Sequence, residues 1–207
     1  MLKFVSALAL VGLLTAINRT DAHAQCDSHG TARWPVKTSA ISTGDNDAHT
    51  ILAQDFVQAP DLNISANEVP NDSFISQDTQ IGAETLREGD LVLIRGYLSD
   101  VRCEANDGDY HGDFRPDDSG SGPCAEVEVP YPQNIPDADT RGHVQNVRTT
   151  FNQWLRQSQA EHVTLIGQLF YDETHHSSGS PGGGRGKGHC AGTLWEIHPV
   201  LKVFMLE

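Results

Sequence analysis

Between residues 140 and 158 the apolar side chains fall three and four positions apart, at Val144, Val147, Phe151, Trp154 and Leu155. That spacing predicts one amphipathic helix over Thr140 to about Ser158, capped by Asp139 or Thr140. The regular segments around it read as strands. Leu91 to Leu98 is an apolar run opened by the turn residues Glu88-Gly89-Asp90 and bent at the mid-strand Gly96. Asp109 to Phe114 is a second short strand. Ala125 to Val129 alternates, with Val127 and Val129 on one face and Glu126 and Glu128 on the other, as in a half-buried strand. Pro130, Pro132 and Pro136 break the chain before the helix. His162 to Asp172 and Thr193 to Leu206 follow as two further strands. The order is therefore three strands, a helix and two strands (β-β-β-α-β-β), in a mainly β chain. A bent first strand, and a helix between the third and fourth, are what a small OB-like barrel requires. An open β-sandwich with one helix is the alternative.

The barrel is expected over residues 89–207. Ahead of it, residues 25–88 are polar and aperiodic, with short apolar clusters such as Ile51-Leu52 and Phe56-Val57. They read as an irregular N-terminal arm draped over the core, with one short helix near His49 to Val57. Residues 1–24 have the pattern of a cleaved signal peptide. Lys3 is followed by the apolar run Phe4 to Ala16, and Ala22-His23-Ala24 offers small residues for cleavage after Ala24. The run is shorter than the roughly 20 apolar residues of a membrane-spanning helix. The expected location is thus exported, periplasmic or secreted, with no membrane span.

Removal of that leader leaves 12 basic against 27 acidic residues, a net charge of −15. A surface so negative repels phosphate backbones, which disfavours nucleic acid as a partner. Cys26, Cys103, Cys124 and Cys190 make an even set in an exported chain and predict two disulfides. No C-x-x-C pair is present, so a zinc ribbon or thioredoxin-type site has no support. Cys103 and Cys124 flank one acidic segment, so the expected pairing is Cys103 with Cys124 and Cys26 with Cys190.

Three polar sets could carry chemistry. On the last strand, Trp195, Ile197 and Leu201 point one way, while Glu196 and His198 lie side by side on the other face. Such a pair can share a hydrogen bond, ligate a metal or act as a base with its orienting partner. At the end of the preceding strand, Asp172 and His175 sit where strand gives way to loop, a combination suited to zinc, manganese or iron. The segment Asp107 to Asp118 partly mimics a calcium loop. His111 stands where Asp or Asn is preferred, however, and no helices flank it, so a solvated acidic turn is the default. Gly182 to Gly188 lacks the spacing of a phosphate loop and reads as a flexible connection. No G-x-S-x-G, H-E-x-x-H or Walker signature occurs.

Arg33-Trp34-Pro35-Val36-Lys37-Thr38, Asp107 to His111, Glu128-Val129-Pro130, Gly167 to His175 and Glu196 to Val200 occur in that order. Together they resemble a group of uncharacterised exported bacterial proteins with the motifs WPVKT, DGDYH, EIP, GxxFFDxxH and E-[IL]-H-P-V. The match runs from residue 33 to about residue 203. It implies export and a convergence of the shared polar residues Asp109, His111, Glu128, Asp172, His175, Glu196 and His198 at one mouth of the barrel, but no particular activity. The chain departs from the group in its Gly-rich insertion after His176 and in its extra cysteines.

Two functions are compatible with these residues. One is an exported OB-like domain that binds a small ligand, a divalent metal or a protein. The other is a metal-dependent hydrolase, a nuclease or phosphoesterase, in which a bound cation activates water and neutralises phosphate. A hydrolase of that kind needs arginines beside the carboxylates, and Arg95, Arg102 and Arg115 are the ones in suitable segments.

Overall fold

The computed structural model describes residues 26, 33–39, 47–64, 66–104, 107–155, 157, 159–175 and 189–206. The signal-like segment 1–24, His176 and the Gly-rich stretch lie outside them. Five strands close a barrel: β4 (Leu91–Cys103), β5 (Tyr110–Arg115), β6 (Cys124–Val129), β7 (Glu161–Tyr171) and β8 (Ala191–Met205). Their order is β4-β5-β6-β8-β7, and β7 returns to β4. All neighbours are antiparallel except β6 and β8. Helix α3 (Ala138–Trp154) joins β6 to β7. This is the OB-type barrel that the strand order predicts, and the open sandwich does not form.

Strand β4 is longer than expected because it serves two neighbours in turn. Its first part pairs with β7, and Tyr97 to Cys103 pair with β5. Gly96 lies at the change of partner. A Cβ there would meet the Arg115 carbonyl oxygen at 2.4 Å and the Phe114 ring at 2.6 Å, so only glycine lets the strands cross this closely. The register then slips between Ser99 and Arg102, where Asp100 takes a positive φ of 49°.

Helix α3 starts and ends earlier than its apolar spacing indicates. Its cap is Asp137, whose carboxylate accepts the Thr140 amide at 2.7 Å. Thr140, Val144, Val147, Phe151 and Trp154 are buried against the barrel. The core they join contains Phe114, Val127, Val129, Leu165, Leu169, Trp195 and Ile197.

The arm is less irregular than its composition suggests. It carries α1 (Trp34–Lys37), β1 (His49–Leu52), the one-turn α2 (Ala53–Phe56) and a hairpin of β2 (Thr79–Ile81) and β3 (Glu84–Leu86). The short helix expected near His49 is thus a strand followed by a helical turn, with β1 adding parallel to β4. Its anchor is Arg33, whose guanidinium grips both Glu88 oxygens at 2.6 Å and reaches the carbonyls of Pro70, Ser73 and Tyr171.

Strand β6 is covered on its outer face too, Glu128 by Lys37 of the arm and by His111 and His198, and Glu126 by Arg102, His111 and His189. Glu126 and Glu128 are 3% and 4% exposed, so this strand is buried on both faces, not half-buried.

The disulfides join Cys26 to Cys103 and Cys124 to Cys190, which corrects the expected pairing. Cys103 closes β4 opposite Tyr110, whereas Cys124 opens β6 beside the Phe114–Ala125 pair. The two cysteines therefore face opposite ends of β5, about 16 Å apart at roughly 3.3 Å per residue, too far for a bond. Cys124 is instead in register with Ala191, next to Cys190.

Candidate functional site

Strand pleating sorts β5, β6 and β8 into two faces. Tyr110, Phe114, Val127, Val129 and Ile197 turn into the core. His111, Asp113, Glu126, Glu128, Glu196 and His198 turn outwards. The register sets His111 opposite Glu128, Asp113 opposite Glu126, and Glu126 beside Glu196. Asp109, just before β5, shares the outward direction. The polar residues thus converge on the outer face of the β5–β6–β8 sheet and not in the barrel mouth.

This face is nonetheless removed from water. Asp109 and Glu196 are each 1% exposed and His198 is 0% exposed. Phe170 from β7 forms one wall, its ring centroid 5.5 Å from that of His198. The arm closes the cluster from above: Lys37 projects from α1, its Nζ 3.8 Å from Glu128 Oε2 and 5.1 Å from the Phe170 ring centroid.

Glu128 is the hinge of the arrangement. Its Oε2 approaches His198 Nδ1 to 2.6 Å, and its Oε1 lies 3.2 Å from His111 Nδ1. His198 Nε2 is 3.6 Å from Asp109 Oδ2, and His198 Nδ1 is 3.7 Å from Glu196 Oε2. Two triads result, Asp109–Glu128–His198 and His111–Glu126–Glu128, with the donor atoms of each within 4.8 Å of one another. The triads differ in how they are satisfied. Both nitrogens of His198 and Asp109 Oδ1 are buried without a hydrogen bond, the 2.6 Å contact to Glu128 being misdirected for one. In the second triad, Arg102 Nη2 already lies 2.5 Å from Glu126 Oε1, and His111 Nδ1 reaches the same oxygen at 3.0 Å. A guanidinium thus already neutralises Glu126 in that triad. The third group of potential ligands, Cys124, His189 and Cys190, has its sulfurs locked in a disulfide.

The charges bind one another. Burial opposes ionisation of Glu128, but His111, His198 and Lys37 hold its carboxyl well below the usual range. Burial pushes Asp109 up, only partly offset by His198. For His198, burial and the Lys37 ammonium push downwards, but Glu128 and Glu196 outweigh them and the imidazole lies above its ordinary value. Burial likewise disfavours the charged forms of His111 and Lys37, and the surrounding carboxylates, Glu128 first, raise both.

Of the residues expected to converge, Asp109, His111, Glu128, Glu196 and His198 meet directly. Asp172 and His175 do not join either triad. They pair with each other, and Thr174 Oγ1 also donates to Asp172 at 2.6 Å. They stand at the edge: the Asp172 charge reaches Lys37, and His175 lines an open groove of ≈ 370 Å³ with Arg102, Asp107, His111, Glu126 and His189.

Sequence reasoning missed Glu126 and Lys37, and offered Arg102 only as a phosphate clamp, whereas it pairs with Glu126. Glu126 was available from the β6 alternation, which places it on the same face as Glu128. Lys37 lies in the segment Trp34 to Thr38, and no local pattern connects it to β5, β6 and β8, which begin at residues 110, 124 and 191. Neither protein-family models nor curated proteins give a match to this chain.

Proposed function

We propose that this is an exported OB-type binding domain that holds one divalent cation on its β5–β6–β8 face through Asp109, Glu128 and His198. The observation that carries this reading is His198. It is fully buried with carboxylate oxygens of Asp109, Glu128 and Glu196 2.6–3.7 Å from its nitrogens, yet neither nitrogen makes a well-formed hydrogen bond, so both are open to a ligand that the same carboxylates would share. Oxygens of two carboxylates, Asp109 and Glu128, lie with an imidazole nitrogen of His198 within 4.8 Å of one another, close enough to converge on one ion. One imidazole with two carboxylates suits zinc, manganese or iron(II). Export is supported by the signal-like first 24 residues and by two disulfides. No helix of the described residues is long and apolar enough to cross a membrane.

The poses of the arginines favour binding over phosphoester hydrolysis. Arg95 is exposed. Arg102 does face the cluster, but Asp100, Glu104, Asp113 and Glu126 surround it at 2.5–3.5 Å, which leaves it no role as a phosphate clamp.

The protein, purified from an oxidising compartment and incubated with zinc, manganese and calcium salts, is expected to retain close to one equivalent of one metal in elemental analysis. Asp109→Asn and His198→Ala should each lose it while keeping the β-barrel circular dichroism. A metal-free wild-type protein after all three incubations would overturn the reading.

A further inference from the structure

The cation-site reading leaves one charged group unexplained: an ammonium brought to the same carboxylates by a different part of the chain. The segment Arg33 to Thr38 behaves as a device for delivering it. Pro35 sits in the first turn of α1, and Thr38 Oγ1 closes that turn on the Trp34 carbonyl at 2.8 Å. Val36 is buried, and its carbonyl accepts from Gln168 Nε2 on β7. Arg33 bolts the segment to Glu88. With backbone and neighbours fixed in this way, the side chain of Lys37 starts from a set point on α1 and runs along the Phe170 ring towards Glu128.

The contact it makes there is loose. At 3.8 Å from Glu128 Oε2 the ammonium is beyond the 2.7–2.9 Å of a direct charge-assisted hydrogen bond. Lys37 balances the charge of the group without bonding tightly to one member. The neighbouring triad shows the contrasting solution, a guanidinium held by four carboxylates. A lysine is a compact point charge on a stem of four rotatable carbons, and its side chain is 16% exposed, so it can withdraw by rotation alone.

We propose that Lys37 is the tethered counter-ion of the Asp109–Glu128–His198 site, and that a divalent cation binds by exchange with its ammonium. The inference rests on the cation-site reading and adds to it a built-in competitor that sets the affinity. The ammonium stays protonated throughout. What changes is its place, from beside Glu128 to solvent at the edge of α1.

The test is calorimetric titration of zinc and of manganese into the metal-free full chain and its Lys37→Met, Lys37→Gln and Lys37→Arg variants. Removing a unit positive charge this close to the ion should tighten binding at least about tenfold in the Met and Gln variants. The Arg variant should bind no tighter than wild type. Adding Asp109→Asn to Lys37→Met should abolish the gain, which separates a true exchange from a new surface site. Zinc should also raise the melting temperature of Lys37→Gln more than that of wild type, a readout that remains if the Met variant folds poorly. Wild type and variants binding with equal affinity would overturn the exchange and leave the cation site standing. No binding in any of them would overturn both.

Discussion

Arg33 and Glu88 form the most completely satisfied ion pair of the arm. Glu88 receives both guanidinium nitrogens at 2.6 Å and the amides of Ile75 and Tyr171 at 2.7 and 3.0 Å. Breaking such a pair from one side leaves a buried charge with nothing opposite it. Arg33→Met is therefore expected to destabilise the protein by about 3–5 kcal/mol, read from urea denaturation. The double change Arg33→Met/Glu88→Gln should recover part of that loss, because the stranded charge is gone. A single variant within 1 kcal/mol of wild type, taken as about the worth of an exposed pair, would mean that the pair does not hold the arm. Residue-scale legibility follows the same division between near and far. Glu196 and His198 share a face because they are two positions apart on one strand, and the sequence states that directly. Asp109, His111 and Glu128 entered the candidate set through motif order, and β5–β6 register then sets His111 opposite Glu128. The groups that neutralise them, Arg102 and Lys37, come from a β4 bulge and from the arm, and no periodicity connects such positions.

At the scale of elements, boundaries moved wherever a polar residue and not an apolar one sets the end. The apolar stripe of α3 begins at Val144, but the helix begins at Ala138, because the Asp137 carboxylate takes the Thr140 amide. That bond, first by its backbone contact, holds the Asp137 carboxyl below its ordinary value. A group whose folded value is lowered contributes stability above its unfolded value and loses it as pH falls through the folded one. Asp137→Ala should therefore lower the thermal midpoint at pH 7, and the gap to wild type should close as pH falls below the ordinary aspartate range near about 3.9. Asp137→Asn, which still offers an acceptor, should stay near wild type throughout. A gap that persists undiminished at low pH would assign the effect to something other than the carboxylate cap. Strand β6 shows a second limit. Alternation of Val with Glu ordinarily marks one wet face, and its period was read correctly. Its burial was not, because the cover comes from residues distant in sequence: Arg102 and His189 on Glu126, and Lys37 of the arm on Glu128.

For the molecule as a whole, the strand order around one helix pointed to the barrel over an open sandwich, and the closed order β4-β5-β6-β8-β7 bears that out. The disulfides were not legible in the same way, because pairing depends on which strand ends meet. β5 separates the two cysteines that are closest in sequence. The observed bridges instead close long loops, spanning 77 and 66 residues. In the chain-entropy account, excluding conformations of loops that long from the unfolded ensemble contributes about 4 kcal/mol for each bond. The bridge between Cys124 and Cys190 joins β6 to β8, the two strands that carry Glu126, Glu128, Glu196 and His198, at one end of their parallel pairing. Cys124→Ser/Cys190→Ser should then unfold in guanidinium chloride with a stability lower by about 4 kcal/mol. Because Cys190 reaches only one end of the polar face, the folded variant should still bind metal, with its melting temperature raised by zinc as in wild type. A loss below about 1 kcal/mol would show that the unfolded state is already compact across this loop. A stable variant that no longer binds metal would show instead that the bridge sets the spacing of β6 and β8 on which the Glu128–His198 contact depends.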